Sequence, residues 1–425
     1  MSQFANIQTN TSRSRHSTTD YSPRKRNFRT NSVRNKYSKS SRNNSSSRRR
    51  TARFSSEKIS RSFYTNDLRQ ESISEIKAYE GKLFTEYAFS SKLASCIKNK
   101  GYEITTEIQE RTIPLIMEGK DVLGISATGS GKTGAFLIPL IQKILTTKSQ
   151  KLLIVAPTRE LAMQISKEAL SLTRKSYIHI ATIIGGQSMY RQISELKKGV
   201  EIIIGTPGRI NDLIRRGIIE TKLYNNVVVD EVDRMLDMGF IHDIRIIFSK
   251  VAKNRQTLFF SATHNNKVET VIQSLSDSFD IVKLSNNKPN KSVLQSVIDY
   301  THPQEKMDKL QEILHKQEVT KALVFVDTKR FADKVDKILY KNNFKVGVIH
   351  GDKRQNLRKR VIDMFKYSKI RILVATNVVA RGIDIDDITH VINLDEPQTY
   401  DEYIHRIGRT GRNGASGTAY TFVKN

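Results

Sequence analysis

The chain has 425 residues, 38% of them hydrophobic and 27% charged, and a formal net charge of +28. That length holds two or three domains of ordinary size, and no apolar run reaches the 18 or more residues that a membrane-spanning helix needs. The single cysteine, Cys96, excludes an internal disulfide or a cysteine-based metal cluster; its setting in LASCIK reads as the buried face of a helix, suited to a reducing cytoplasm.

The start, MSQFANIQTNTS, has no apolar h-region, so no secretory signal is expected. Residues 1–56 carry 14 Lys and Arg against one acid, Asp20, and so supply +13 of the charge. Residues 1–75 are rich in Ser, Asn, Thr and Arg and cannot bury enough apolar surface to offset chain entropy, which predicts a disordered basic tail. The charge calls for a polyanionic partner, nucleic acid first, because neutralising phosphates releases counterions. An Arg-rich, acid-poor start also describes an organellar transit peptide, but no amphipathic helical face is visible. A tail that holds RNA electrostatically is the favoured reading.

From about residue 120, short apolar runs alternate with helix-length segments: VLGIS (122–126), LLIVA (152–156), IHIATII (178–184), EIIIG (201–205), VVVDE (227–231) and TLFFSA (257–262). Continuous Ile/Val/Leu runs predict strands covered on both faces, hence a parallel sheet between helices. SNNKPNKS (285–292) interrupts the rhythm as a linker, after which ALVFV (322–326), VGVIH (346–350), RILVA (371–375) and HVINL (390–394) restart it. The pattern predicts an α/β chain with domains at 76–284 and 293–425.

VLGIS runs into ATGSGKT and then a helix. Gly129 and Gly131 let backbone N–H groups turn inward around phosphate at a helix N-terminus, so Ser126, Ala127, Thr128, Gly129, Ser130, Gly131, Lys132 and Thr133 form a nucleotide-binding candidate. Lys132 would reach the β- and γ-phosphates and the Thr133 hydroxyl would ligate Mg²⁺. Downstream, Asp230-Glu231-Val232-Asp233 ends a strand. Asp230 is the second Mg²⁺ candidate and Glu231 the group that polarises the attacking water.

Over residues 84–425 these motifs, in this order, resemble those of DEAD-box helicases. The resemblance implies two tandem RecA-like domains, ATP as substrate, and single-stranded RNA or short duplexes as partner, with ribosomal or ribonucleoprotein particles compatible and no membrane. GYEITTEIQ (101–109) looks like the Q motif, with Phe84 as its upstream aromatic; Gln109 would read the adenine edge and Tyr102 lie against the ring. PTRELA (Pro157, Thr158, Arg159), Gly185-Gly186 and TPGR (Thr206, Pro207, Arg209) match motifs for the RNA backbone. Asp233 and SAT (Ser261, Thr263) match the coupling between nucleotide state and strand separation. In the second domain the resemblance puts Gln355, Arg358, Thr376 and Gly382 near RNA, Asp384 near the ribose, and Arg409 and Arg412 on the γ-phosphate. The spacing of Arg406, Arg409 and Arg412 places them on one helical face, able to fork onto phosphate oxygens.

Three departures stand out. Val232 replaces the usual Ala and is expected only to pack behind the loop. Asn377 stands where Asp is frequent, a permissive position. The chain ends at TAYTFVKN after the last expected strand, which leaves substrate targeting to the tail. The same motifs also fit a slow-turnover, ATP-gated RNA clamp or assembly scaffold; a DNA translocase is the third reading, opposed by the Q motif and SAT.

Overall fold

A computed structural model of the chain describes residues 79–284, 293–377, 385, 387–411 and 415–425. The expected tail and linker lie outside the described residues, as do Gly382, Asp384 and Arg412. The described residues belong to one compact unit.

In chain order the first part runs α1 (Ser91–Asn99), α2 (Glu107–Met117), β1 (Val122–Ile125), α3 (Lys132–Thr146), β2 (Leu152–Val155), α4 (Arg159–Leu172), β3 (Ile180–Ile183) and α5 (Met189–Leu196). It continues with β4 (Ile202–Gly205), α6 (Pro207–Arg215), β5 (Asn226–Val229), α7 (Val232–Asp237), α8 (Ile241–Phe248), β6 (Gln256–Ser261), α9 (Asn266–Gln273) and β7 (Asp280–Lys283). The second part is β8 (Val293–Tyr300), α10 (Pro303–His315), β9 (Ala322–Val326), α11 (Lys329–Lys341), β10 (Val346–Ile349), α12 (Gln355–Lys366), β11 (Ile372–Thr376), β12 (His390–Asn393), α13 (Tyr400–Ile407) and β13 (Gly417–Lys424).

The strands form two parallel sheets, ordered β3-β4-β2-β5-β6-β1-β7 and β10-β11-β9-β12-β13-β8. The continuous apolar runs are explained by their double burial. In β2, Leu152 and Ile154 pack under α3 and α4, while Leu153 and Val155 face the α6, α7 and α8 side. The second sheet divides likewise: Leu323 and Phe325 of β9 join one core, Ala322, Val324 and Val326 the other. Cys96 is buried on α1, as its setting predicted.

Helix starts follow local chemistry. Thr158, Thr328 and Thr399 accept the first free amides of α4, α11 and α13, and Pro207 opens α6, where its missing N–H costs nothing. Because every described pairing within the two sheets is parallel, the strand-to-helix turns collect at the strands' carboxyl ends, where α/β sheets bind ligands.

Candidate functional site at the carboxyl ends of the two sheets

The turn from β1 to α3 bends through Gly129 (φ 84°) and Gly131 (φ 93°), a region that an L side chain adopts only with strain. Lys132 Nζ folds back onto the loop, donating to the carbonyls of Ser126 (2.5 Å) and Ala127 (2.9 Å), and the Ser126 and Ser130 hydroxyls meet at 2.7 Å. Burial lowers the Lys132 pKa against the pull of Asp230 and Asp233. Thr133 begins α3, half-buried.

Gln109 is buried at the neck of this loop. Its Oε1 accepts from the Thr106 amide (2.9 Å) and its Nε2 donates to the Gly131 carbonyl (3.1 Å), so the remaining N–H and lone pair are what it has to offer a base. Phe84 and Tyr102 stack with ring centroids 6.1 Å apart. The Tyr102 hydroxyl donates to Glu168 of α4 (2.8 Å), which also pairs with Lys100.

Beyond β5, Asp230 is 3% exposed, and burial, with Glu231 beside it, pushes its carboxyl up to about 7. Glu231 has φ 53° and ψ 56°. Burial would raise its pKa too, but Arg234 (Nη1 to Oε2, 2.5 Å) and Arg409 outweigh it and hold the carboxyl below its usual value. Asp230 is close enough to Lys132 for their charges to act on each other, and Thr133 is the next residue of α3; a carboxylate and a hydroxyl are hard oxygen donors of the kind that suit Mg²⁺. No group of three or more His, Cys, Asp or Glu among the described residues could hold a metal by itself. Val232 is buried in the core with Val229, Met235 and Phe259, behind the loop as expected.

Asp233 joins three segments. Its Oδ2 accepts from the amides of Ala262 (3.2 Å) and Thr263 (3.1 Å) and from Thr263 Oγ1 (3.2 Å), and lies 3.6 Å from His405 Nε2 of the second part. Ser261 donates to the Thr263 carbonyl (2.7 Å), and its own carbonyl accepts from the Ser126 amide (3.2 Å), so SAT touches both acidic turn and phosphate loop. One pocket is lined by Glu231, Asp233 and Arg234 from the first part and His405 and Arg409 from the second. The second part approaches the loop so closely that a Cβ on Gly408 would lie 3.1 Å from Thr128 Oγ1.

A second seam lies along α4. Pro157 and Thr158 are buried at its start; Arg159 Nη1 donates to Gln355 Oε1 (3.4 Å), Gln355 Nε2 donates to Glu160 Oε1 (3.0 Å), and Arg358 pairs with Glu160 Oε2 (2.6 Å). The Arg159 guanidinium lies over Gly185 and Gly186, where a Cβ on Gly186 would come within 2.3 Å of it. Thr206 precedes α6, and Arg209 donates to the Gln187 carbonyl and to Gln192. Thr376 is buried at the end of β11.

The DEAD/DEAH box helicase model matches residues 106–271 and the helicase conserved C-terminal domain model matches residues 305–414. A DEAD-box ATP-dependent RNA helicase, CshA of Geobacillus kaustophilus, is 43% identical over 341 residues, 80% of this chain and 73% of the relative. The chain belongs to the DEAD-box helicase family. The ATP-dependent RNA helicase CshA of Listeria monocytogenes is 41% identical over 80% of this DEAD-box chain and 66% of the relative's length. Among solved structures, S. cerevisiae Dbp5 bound to RNA and ADP BeF3 is similar with a TM-score of 0.73 and 28% identity, over 81% of this chain and 90% of that one. The fold is therefore the RecA-like pair that the motif order implied.

Two expectations for this DEAD-box chain need correction. Arg406 does not share a phosphate-facing surface with Arg409: α13 ends at Ile407, which breaks the helical spacing. The Arg406 guanidinium is fully buried, bonded to the Asp395 carbonyl (2.6 Å), Glu402 (2.5 Å) and Asp327 (3.2 Å). Asn377 is not merely permissive either, since its Nδ2 donates to Glu402 (2.5 Å), where an Asp would face a second carboxylate. Sequence reasoning missed Glu160, Glu168 and His405. Glu160, inside PTRELA, and His405, inside HRIGRTGR, carried a local signal; Glu168 did not.

Proposed function

We propose that the chain is an ATP-dependent RNA helicase that binds single-stranded RNA across its two domains, 76–284 and 293–425, hydrolyses ATP between them, and locally separates short duplexes or remodels RNA–protein complexes. The observation that carries this reading is the pocket where Glu231 and Asp233 meet His405 and Arg409, because only with the two domains together does a second arginine, besides the Arg234 already paired with Glu231, face these carboxylates.

Lys132 and the amides of 126–131 would take the phosphates, with Thr133 and Asp230 as the Mg²⁺ ligands; the ion, when bound, neutralises charge on the phosphate oxygens. Phe84, Tyr102 and Gln109 would hold the base. Glu231, kept ionised by Arg234, would orient the attacking water, and Arg409 would meet the charge that develops on the transferred phosphoryl group. Asp384 and Arg412 keep the roles that the family resemblance gives them.

RNA would lie across Pro157, Thr158, Arg159, Gly185, Gly186, Thr206, Pro207 and Arg209 on one domain and Gln355, Arg358, Thr376 and Gly382 on the other, mainly through its sugar–phosphate backbone. Both ligands then favour the closed pair, so each raises affinity for the other. A duplex gripped on one strand in this way opens locally, and hydrolysis removes the contact that holds the clamp shut. The single buried cysteine fits a cytoplasmic setting, and no helix among the described residues is long and apolar enough to cross a membrane.

The test is ATP turnover with RNA, with DNA of the same sequence and without nucleic acid, alongside displacement of a short RNA duplex. RNA-specific stimulation with ATP-dependent displacement is expected. Equal stimulation by DNA would refute the RNA assignment, and ATP-dependent RNA retention without turnover would identify a clamp instead.

A further inference from the structure

The second sheet has an end that the cleft does not use. β10 and β11 begin side by side, with Val346 opposite Ile372, and the amides of Arg371 (2.8 Å) and Ile372 (3.1 Å) both donate to the Lys345 carbonyl. The two turns leading into these strands therefore lie next to each other, at the opposite end of the strands from His350 and Thr376. Each turn passes a non-glycine residue through the left-handed region, Asn343 at φ 62° and Ser368 at φ 56°.

Across this pole Lys341, Lys345, Lys366 and Lys369 are exposed, and none has an ion-pair partner among the described residues. At the opposite end of the same strands, by contrast, Lys329 and Lys353 are paired with Asp352 and Asp333. Asp336 and Asp363 lie a turn or more back along α11 and α12, and Asp387, which another segment brings near Lys366, is held by Lys321 (2.6 Å), whose Nζ also donates to the Lys366 carbonyl (3.2 Å). Next in the chain to Lys341 and Lys366 stand Tyr340 and Tyr367, at the ends of helices that cover opposite faces of the sheet; they are 73% and 70% exposed, the most exposed large hydrophobic side chains described in the second domain. Rings so far out of the core are left with most of their faces in water. Aromatic faces among unneutralised cations are what single-stranded nucleic acid uses, bases stacking while phosphates meet the charges.

We propose that this lysine–tyrosine pole is a second RNA contact, taking single-stranded RNA that runs on outside the cleft. The proposal rests on the reading of RNA as the cleft's polymer. The length of α12, about 18 Å, separates the pole from Gln355 and Arg358. An RNA long enough only to fill the cleft therefore does not reach it, whereas a longer strand is held at both places.

The experiment uses the full chain and two oligouridines, one about 6 nucleotides long, near the small end of single-strand site sizes, and one about 40, well beyond them. Tyr340→Ala with Tyr367→Ala is expected to weaken binding of the long RNA about 5-fold or more while leaving the short RNA unaffected. Lys345→Glu with Lys369→Glu should make the log–log salt slope for the long RNA shallower by about 1.4, two phosphate contacts at about 0.7 each. ATP turnover at saturating short RNA should stay at the wild-type rate in both variants, which shows the cleft intact. Wild-type affinity of both variants for the long RNA overturns the proposal. So does loss of polyglutamate binding in the variants with long-RNA affinity unchanged, which would assign the pole to an acidic protein. Failure of the cleft reading has a different signature: wild-type protein whose turnover the short RNA does not stimulate.

Discussion

Glu231 occupies the left-handed backbone region, a conformation that costs a non-glycine residue on the order of 1–3 kcal/mol and persists where its surroundings over-determine it. Those surroundings are Arg234, 2% exposed and paired with it, and the Asp230 Oδ1 that accepts its amide (2.9 Å). Glu231→Gln removes the charge and keeps the shape. Turnover is expected to fall roughly 10²- to 10⁴-fold with ATP affinity intact, leaving the protein trapped on RNA. Wild-type turnover in this variant would mean that another group activates the water. Lys132→Ala, in contrast, should abolish ATP binding itself, readable by equilibrium binding of a fluorescent ATP analogue. Gln109→Ala should narrow the preference for ATP over GTP, measured as turnover under saturating RNA, and should also raise KM for ATP, because the same amide braces Gly131. An unchanged ATP/GTP ratio would move selectivity to Phe84 and Tyr102. Lys132, Asp230 and Glu231 could be read from the sequence because their chemistry follows from a spacing of a few residues. Glu160 and Glu168 could not: their partners Gln355 and Tyr102 stand 195 and 66 positions away.

At the level of elements, strands with a continuous apolar run were legible, the edge strands β3 and β10 among them, and the other two edge strands, β7 and β8, were not. β9 coincides with ALVFV because all five of its residues are buried. β7 buries only Val282 of its four residues, and most of β8 is half-exposed, so neither shows the continuous apolar run that marked the others. Arg406 went wrong for a related reason, since an i,i+3 face requires the helix to continue and α13 stops. Besides Asp233 and His405, contacts between α4 and α12 bind one sheet's turns to the other's. Glu160 and Arg358 have side chains 4% and 7% exposed in this closed arrangement, and separation of the domains would return both to water. Removing one partner of a buried pair strands the other charge, at about 3–5 kcal/mol, whereas removing both costs less. Glu160→Ala and Arg358→Ala should each weaken ATP-dependent RNA binding by at least about tenfold, and the double variant should lose less than the product of the two. Fluorescence anisotropy with ATP and without nucleotide checks this. Strictly multiplicative losses would show that the pair is not coupled during closure.

For the molecule as a whole, the two-domain plan was legible because the alternation of apolar runs and helix-length segments stops at 285–292 and begins again. The mutual arrangement of the domains was not, because it depends on Asp233 meeting His405 and Glu160 meeting Arg358. Charge is the remaining whole-chain property. Residues 1–56 bring 14 cations, yet no residue assigned to the nucleotide or RNA cleft precedes Phe84. Deleting residues 1–75 should therefore weaken RNA affinity strongly at low salt and leave maximal RNA-stimulated turnover nearly intact. Each phosphate that the tail neutralises adds about −0.7 to the log–log salt slope on single strands and about −0.9 on duplex. A handful of simultaneous contacts makes the full-length slope visibly steeper than that of the truncated chain. Binding titrations of both proteins across a salt series decide the matter. Coincident slopes would show that the tail does not touch RNA, and would turn attention to a transit-peptide or protein-binding role for its arginines.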